Sequence, residues 1–302
     1  KYLGSLSGSD LPVKVYTDRI VSGLSQVKEN TVTAMRIADF ACENDMNLNC
    51  HSGNEQAEAA CRVKIYSSDF CKTVRAISTR QSSTNIANKS ILFSFGDCQT
   101  KSHEPCPNMC NPTIVKTRPF NDPRNMVLMN LNMARHWGEI KSAMASDVPF
   151  SQKQNRLMWR GASTGPCDTN KKGSRMMFVS KYARSSDPRI DVGFNTVVQG
   201  CGAASAYIKG SYSLSTALKS KYLMVVNGND KASSLNWILA SNSVPFMTRP
   251  AVESWLLETS LEPWKHYIPI EDDFSDVVSK LDWIAKNEDE GARVANAGQQ
   301  YV

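Results

Sequence analysis

The sequence predicts an α/β protein built around a parallel β-sheet. From residue 156 to the C-terminus, short apolar runs alternate with segments whose apolar residues recur at helical spacing. This alternation is typical of parallel strands that are joined by crossover helices. The length of 302 residues favours two domains of about 150 residues each. We therefore expect one domain at residues 1–150 and a second at residues 151–302.

The first half of the chain carries weaker signals than the second. Ile20, Leu24 and Val27 recur at the spacing of an amphipathic helix, which we extend to about residue 40. Residues 62–66 and 90–95 alternate as half-buried strands do. Together the patterns predict strands at 13–16, 62–66, 90–95, 113–116 and 126–129, a helix at 134–145 and a linker at 147–154.

The second half of the chain alternates more regularly. Residues 222–226 are a short apolar run that stops at four turn-forming residues, which is typical of a buried strand. Residues 173–185 repeat apolar side chains at helical spacing. The predicted strands are 156–159, 190–194, 221–226, 243–247 and 266–270, and the predicted helices are 173–185, 232–241, 251–260 and a helical region from residue 275.

Charge and hydropathy argue against two classes of partner. The net charge is +6, but no run of basic residues exceeds the pair Lys171 and Lys172, so no nucleic-acid-binding stripe is expected. No window approaches the roughly 20 apolar residues that span a bilayer. A mild positive excess suits an anionic small molecule such as a nucleotide sugar, and general solubility is the alternative explanation.

The nine cysteines are concentrated near the start of the chain. All but Cys167 and Cys201 lie within the first 110 residues. This density favours disulfides and therefore an oxidising compartment such as the ER or Golgi lumen, with a cytoplasmic location as the alternative. The odd number leaves at least one cysteine without an intrachain disulfide partner. A zinc site formed by Cys98, Cys106 and Cys110 is the rival explanation, although no CxxC pair occurs.

The stretch WRGASTG at residues 159–165 follows a predicted strand and precedes a predicted helix that begins near Arg175. Small residues let backbone N–H groups approach a phosphate, and the start of a helix adds partial positive charge. Arg160 can pair with phosphate oxygens. The spacing matches neither GxxxxGK[ST] nor GxGxxG, and an ordinary turn with a structural arginine is the alternative.

A second candidate stretch, NGND at residues 227–230, lies beyond the carboxyl end of a predicted strand. Open α/β sheets bind their ligands at this edge. Ser233 and Ser234 then occupy the first predicted helical turn, where hydroxyls and free N–H groups can receive an anionic or polyhydroxyl ligand. A plain strand-to-helix turn capped by Asp230 is the alternative.

Other polar residues give weaker signals. Asp97 follows the strand at 90–95, where a carboxylate can act as a general base or can stabilise a turn. Residues 161–165 formally fit G-x-S-x-G, which together with His266 suggests a serine hydrolase based on Ser163. A nucleophile elbow needs a helix directly after its serine, whereas Pro166 and a polar stretch follow here. No metal-binding motif is found.

Several motifs in the chain resemble those of glycosyltransferase family 90, and they occur in the same order. They are WRGAST at 159–164, KYL at 221–223, GND at 228–230, LASNSV at 239–244, ESW at 253–255 and PWKHYIP at 263–269. The likeness is clearest from about residue 156 to the C-terminus, weaker over residues 91–137, and weakest before residue 62.

The resemblance implies two Rossmann-like domains that face each other across a cleft, the GT-B arrangement. It also implies inverting sugar transfer from a UDP-sugar without a metal or other cofactor. Asp97 matches the family's carboxylate on the first domain, which deprotonates the acceptor hydroxyl. The residues that match the family's contacts to the nucleotide diphosphate are Arg160, Gly161, Ser163, Thr164 and Arg175.

The chain departs from the animal O-glucosyltransferases of this family at two places. Those enzymes carry a second diphosphate arginine where this chain has Ser234, and here the stretch resembles the bacterial version. Neutralisation of the diphosphate is then expected to depend more on Arg160 and Arg175. The aromatic-rich acceptor segment of the animal enzymes is absent around residues 126–137, which favours a glycan acceptor over a folded protein acceptor.

We therefore expect a glycosyltransferase that moves xylose or glucose from a UDP-sugar to a hydroxyl of a glycan or glycoprotein acceptor. Residues Gly228, Asn229, Asp230, Ser233 and Ser234 complete the expected donor site, with Asn229, Asp230 and Ser233 holding sugar or ribose hydroxyls. A non-catalytic glycan- or nucleotide-binding protein of the same fold is the alternative, because Ser234 replaces the second arginine.

Overall fold

The computed structural model describes residues 33–36, 61, 64–73, 90–94, 113–120 and 126–302. The strand predicted at 13–16 and the candidate base Asp97 lie outside the described residues. The chain divides into two compact units, one of Lys1–Cys98 with Glu104–Ala134 and one of Gln99–His103 with Arg135–Val302. The domain limits that the length suggested, 1–150 and 151–302, stay a prediction.

The described part of the first unit contains a four-stranded sheet of β1 (Thr33–Arg36), β2 (Ser90–Ser94), β3 (Thr113–Val115) and β5 (Met126–Leu128), in that order. Strand β1 runs antiparallel to β2, and β2, β3 and β5 are parallel. The strands predicted at 90–95, 113–116 and 126–129 are confirmed. Two further elements are a helix α1 at 64–73 and β4 (Thr117–Pro119).

Two predictions for the first unit are wrong. Strand β1 was predicted as part of a helix, but it pairs with β2, with Thr33 opposite Phe93. This long-range pairing overrides a local helical pattern. Residues 62–66 were predicted as a strand, but residues 64–73 are helical. Buried Tyr66 and Phe70 stand four residues apart, so the helical period appears only in a window longer than five residues.

Helix α1 carries a buried carboxyl group, that of Asp69. Its Oδ2 accepts a hydrogen bond from the backbone N–H of Met133 at 2.8 Å. Burial raises the pKa of Asp69 to about 6, and hydrogen bonds from the Met133 and Asn132 backbone offset this only in part. The charged form of Asp69 therefore opposes folding. An acid whose pKa is raised in the folded state stabilises the fold at low pH, and this contribution is lost as the pH rises through the folded pKa.

Replacing Asp69 with asparagine is expected to stabilise the protein at pH 7.5, because the amide oxygen can accept the same hydrogen bond without a buried charge. The gain in the free energy of unfolding should reach about 3 kcal/mol above pH 6 and vanish near pH 4. Chemical unfolding of both proteins at pH 4.5 and pH 7.5 measures this difference. A wild-type protein that is at least as stable as Asp69→Asn at pH 7.5 would contradict the assignment.

The second unit contains a five-stranded parallel sheet, whose strands are β6 (Gln154–Ala162), β7 (Ile190–Thr196), β8 (Ser220–Val225), β9 (Val244–Met247) and β11 (Ile268–Pro269). Their order in the sheet is β11-β9-β8-β6-β7. This sheet confirms the predicted α/β class. A further strand, β10 (Val252–Ser254), lies outside this sheet. Helix α2 (Met133–Trp137) spans the division of the chain between the two units. The helices that follow it are α3 (Ile140–Ser146), α4 (Arg175–Tyr182), α5 (Leu214–Leu218), α6 (Leu235–Leu239), α7 (Val277–Lys286) and α8 (Glu288–Tyr301).

Helices cover both faces of this sheet. Tyr222 and Met224 of β8 pack on one face with residues of α4, α7 and α8. Leu223 and Val225 point to the other face and pack with residues of α5 and α6. Every residue of β8 is buried as a result, because a central parallel strand has no face in water. This explains why its residues 222–225 are continuously apolar rather than alternating with polar residues.

Several helical boundaries differ from the prediction. The segment 251–260 was predicted as a helix, but it forms β10 and then a single 3₁₀ turn, Glu258–Ser260. Leu257 has a left-handed φ of 58°, and the Glu258 carboxylate binds the backbone N–H of Ser254, so side chain and backbone both oppose helix there. The helix predicted at 134–145 is divided into α2 and α3, and that at 232–241 is shortened to α6.

A disulfide joins Cys167 and Cys201 in the second unit. In the first unit, Cys61 and Cys71 each take part in a disulfide. The predicted presence of disulfides is therefore confirmed. In the parts of the chain that the structure describes, no helix is both long enough and apolar enough to cross a bilayer.

Candidate active site

Two loops meet at the carboxyl ends of β6 and β8. One follows β6 at residues 163–165, and the other follows β8 at residues 227–230. Gly165 and Gly228 bring the loops together, since an added Cβ on Gly165 would lie 3.0 Å from the Gly228 oxygen. An added Cβ on Gly228 would lie 2.5 Å from Thr164 Oγ1, which is too close for any other residue. The prediction that ligand-binding loops share this edge agrees with this geometry.

Arg175, the first residue of α4, spans the two loops. Its Nε donates to the Val226 carbonyl at 3.2 Å, beyond β8. Its Nη1 donates to the Ala162 carbonyl at 2.9 Å and to Thr164 Oγ1 at 2.7 Å, at the end of β6. The guanidinium also lies over the Trp159 ring, 5.6 Å from its centroid. These contacts hold one face of the guanidinium fork and leave Nη2 without a hydrogen bond to any described residue.

The start of α4 is fixed by local hydrogen bonds. Ser174 is the N-cap, and its Oγ accepts from the Met177 N–H at 3.0 Å. Gly173, with φ at 73°, donates its N–H to the Asp272 carbonyl at 2.6 Å. The predicted helix start near Arg175 is therefore confirmed. A capped helix end places the positive end of the helix dipole beside the arginine.

Arg175 stays positively charged at neutral pH. Its pKa is lowered to about 10, mainly by burial and to a smaller extent by the positive charge of Arg135, while the negative charge of Asp230 acts in the opposite direction. Arg135 is exposed, and the reasoning from sequence did not select it. No local motif could have indicated Arg135, because it interacts with Arg175 only through the fold, 40 positions away in the sequence.

Residues 127–302 match the model of Glycosyl transferase family 90. The chain belongs to glycosyltransferase family 90. The matched segment includes the whole five-stranded sheet, both loops and Arg175.

Three named relatives are 27–34% identical to this chain over the aligned residues. O-glucosyltransferase LpsA of Dichelobacter nodosus is 29% identical over 192 residues, which cover 63% of this chain and 55% of LpsA. Protein O-glucosyltransferase 2 of Danio rerio is 27% identical over 193 residues, which cover 60% of this chain and 37% of that protein. Protein O-glucosyltransferase 3 of Rattus norvegicus is 34% identical over 82 residues, 27% of this chain and 16% of that protein. The chain thus spans about half or less of the length of these relatives.

The loop after β6 in this family 90 protein is tied to the loop after β7. Ser163 Oγ donates to the Val198 carbonyl at 3.0 Å and accepts from the Val198 N–H at 2.8 Å. The Gly165 N–H donates to Gln199 Oε1 at 3.1 Å, and the Cys167–Cys201 disulfide closes the same pair of loops. Within the described residues the Thr164 N–H meets no protein acceptor, so it is the donor of this turn that stays available.

Ser163 does not have the geometry of a hydrolase nucleophile. Its side chain is buried against Val198, and α4 begins only at Arg175. His266, the proposed partner, accepts from the Glu262 N–H at 2.9 Å through Nδ1 and packs against the Tyr301 ring. A nucleophile elbow and a general base are therefore not assembled around Ser163. This geometry does not support the serine hydrolase alternative.

Arg160 is held on the opposite face of β6 from Trp159. Its Nη2 forms an ion pair with Asp191 Oδ1 at 2.6 Å, and its Nη1 donates to the carbonyls of Trp159 and Asp191. Its guanidinium also lies over the Tyr212 ring. Gly161 lies nearer to Arg175, since an added Cβ there would be 3.5 Å from Arg175 Nη1. The structure thus brings Gly161, Thr164, Arg175 and Gly228 together, and keeps Arg160 among other partners.

The loop after β8 closes on itself. Asn227 Oδ1 accepts from the Ala232 N–H at 3.0 Å, and the Gly228 N–H donates to the Asp230 carbonyl at 3.0 Å. Ser234 is the N-cap of α6 in place of Asp230, and its side chain makes no capping hydrogen bond. Ser233 and Ser234 are half-buried, and Asn229 is half-buried beside Gly228. Their polar groups flank the edge at which Arg175 lies.

Two further features lie away from this edge. A cavity of about 570 Å³ is large enough for a small ligand, but Ala240 and Asn242 in its wall precede β9 and so mark the amino ends of the strands. In the described residues no three His, Cys, Asp or Glu side chains are grouped closely enough to hold a metal ion.

Proposed function

We propose that this chain is an inverting, metal-independent glycosyltransferase that moves a sugar from a UDP-sugar to a hydroxyl of a glycan or glycoprotein acceptor. Membership of family 90 supports the transfer of a sugar. The observation that carries the proposal is the Arg175 guanidinium, which is fixed between the loops after β6 and β8 and whose Nη2 has no hydrogen bond to the described residues.

The diphosphate of the donor fits this arrangement in charge and in hydrogen bonding. Arg175 Nη2 and the Thr164 N–H would each donate to a phosphate oxygen, and the dipole at the start of α4 favours an anion there. Arg135 would add a second positive charge near the diphosphate. It would thereby replace the charge of the second arginine, which the animal O-glucosyltransferases carry where this chain has Ser234. Arg160 remains a predicted diphosphate ligand, and it would have to exchange its Asp191 partner to act as one.

The chemical step is a direct displacement. The Asp97 carboxylate takes the proton of the acceptor hydroxyl, and the acceptor oxygen forms a bond to the anomeric carbon from the face opposite UDP. The bond between that carbon and the β-phosphate oxygen breaks, and its electron pair leaves with UDP. Arg175 stabilises the charge that develops on the departing diphosphate, and such preorganised stabilisation is often the largest catalytic contribution.

The donor sugar is xylose or glucose, and the names of the similar O-glucosyltransferases favour glucose. Asn229, Asp230 and Ser233 would bind hydroxyls of the sugar or of the ribose. We place the base and the donor site on two Rossmann-like domains in a GT-B arrangement, whose closure would exclude water and limit hydrolysis of the donor. The disulfides support a location in the lumen of the secretory pathway.

Release of UDP from a panel of UDP-sugars tests the proposal. The panel contains UDP-glucose and UDP-xylose, each with and without oligosaccharide acceptors and each in the presence of EDTA. We expect acceptor-dependent UDP release with one of the two donors and no loss of rate with EDTA. Binding of UDP without any release would indicate a non-catalytic binding protein, and the absence of both would contradict the proposed function.

A further inference from the structure

Lys231, the residue after the candidate sugar-binding Asp230, carries a buried ammonium group. Only 4% of its side chain is exposed. Its Nζ lies 2.9 Å from Asn236 Oδ1, 2.9 Å from Ser254 Oγ and 2.9 Å from Glu258 Oε1. An ammonium group has three protons, and each has one acceptor here. Lys231 is therefore fully occupied within the protein and is not available to bind a phosphate.

Glu258 is buried as completely as Lys231, with 2% of its side chain exposed. Its Oε2 accepts from the Ser254 N–H at 2.6 Å, and its Oε1 accepts from Ser254 Oγ at 2.7 Å. A buried ion pair is a weak source of net stability, because the loss of hydration of two charges offsets their attraction. In some proteins buried ionic groups instead fix a particular geometry.

The ion pair joins the loop after β8 to the segment that follows β10. Lys231 lies directly after residues 227–230, and the Asn227 side chain closes that loop by accepting from the Ala232 N–H on the other side of Lys231. The same loop places Gly228 against Thr164 and Arg175, where an added Cβ would lie 3.2 Å from Arg175 Cζ. A displacement of Lys231 would therefore be transmitted to the backbone that adjoins the Arg175 guanidinium.

We propose that Lys231 and Glu258 are positioning residues that hold the loop at 227–230 in the conformation required to bind the donor. This inference rests on the proposed function, since it concerns the same donor site. It predicts that the loop is fixed by an ion pair rather than by contacts with the ligand, so that the site is formed before the donor arrives. Preorganisation of this kind raises affinity by removing the entropic cost of ordering a loop.

The test compares UDP affinity and donor kinetics in three variants. Lys231→Met removes the ammonium and leaves Glu258 without its partner. The double variant Lys231→Met/Glu258→Met replaces the pair with apolar side chains, a change that buried ion pairs often tolerate without loss of stability. Lys221→Met is the matched control, because Lys221 is a buried lysine that pairs with Glu288 at the other end of β8.

We expect both Lys231 variants to weaken UDP binding and to raise the KM for the donor by about tenfold or more, since small displacements in a binding site have effects of this size. The kcat at saturating donor should change much less, and Lys221→Met should bind UDP as the wild type does. If Lys231→Met does not fold, the double variant decides. A folded double variant with wild-type UDP affinity would overturn the inference, whereas a wild-type protein that fails to bind UDP would instead overturn the proposed function.

Discussion

Arg175→Ala is expected to weaken UDP binding by about 10- to 100-fold. The variant removes the Nη2 donor and the positive charge at the start of α4, and hydrogen bonds to charged groups contribute about 1.5–3 kcal/mol each. It also removes the bonds from Arg175 to Val226, Ala162 and Thr164, so the two loops lose their common partner. Isothermal titration of UDP into folded variant and wild-type protein measures the change.

Arg189→Ala is the matched control for this substitution. Arg189 precedes β7 and forms ion pairs with Asp187 and Asp282, so its removal also deletes an arginine that binds several partners in the second unit. UDP affinity should be unchanged in this variant. Equal UDP affinity in Arg175→Ala and the wild type would remove Arg175 from the donor site. A larger loss in Arg160→Ala than in Arg175→Ala would transfer the main diphosphate contact to Arg160.

Asp97→Asn is expected to lower the rate of transfer by about 10²- to 10⁴-fold, which is the usual contribution of a general base. An asparagine keeps the size of the side chain but cannot accept the proton of the acceptor hydroxyl. UDP affinity should stay at the wild-type level, because the base contacts the acceptor rather than the diphosphate. Initial rates at saturating donor and acceptor, with the active donor of the UDP-sugar panel, give the result.

Asp69→Asn serves as the control for Asp97→Asn. Asp69 is a buried aspartate of the first unit that is hydrogen-bonded to the backbone of Met133 and has no part in the proposed chemistry. The activity of the Asp69→Asn variant should stay within about twofold of the wild-type activity. This change is far smaller than the loss expected when a general base is removed. A near-wild-type rate in folded Asp97→Asn would show that another group removes the proton.

The second unit was largely predictable because its signals are local. The apolar run of β8 and the turn-forming residues after it indicated both a buried strand and a ligand-binding edge, and the structure brings Gly228 to Arg175 at that edge. The start of α4 near Arg175 followed from the helical spacing of apolar residues in 173–185. Local sequence is informative here because the strands have apolar centres, such as residues 222–225 of β8, and the loop that follows β8 is polar.

The features that sequence reasoning missed depend on contacts between distant residues. The Lys231–Glu258 pair joins residues 27 positions apart, which no local pattern reveals. Arg160 and Arg175 contact opposite faces of β6, where Arg160 pairs with Asp191 and Arg175 lies over the Trp159 ring. The sequence suggested a phosphate contact for both and did not distinguish them. The segment 251–260 has helical spacing, but the Glu258 carboxylate binds the Ser254 backbone and draws it out of a helix. The role of Asp97 was inferred from the family resemblance, and Asp97 itself lies outside the described residues.

A crystal structure of the protein with UDP is the most direct test of the donor site. We predict a diphosphate oxygen within hydrogen-bonding distance of Arg175 Nη2 and of the Thr164 N–H, at the carboxyl ends of β6 and β8. UDP bound in the cavity beside Asn242 at the amino ends of the strands, or bound with its diphosphate on Arg160 and remote from Arg175, would contradict the account.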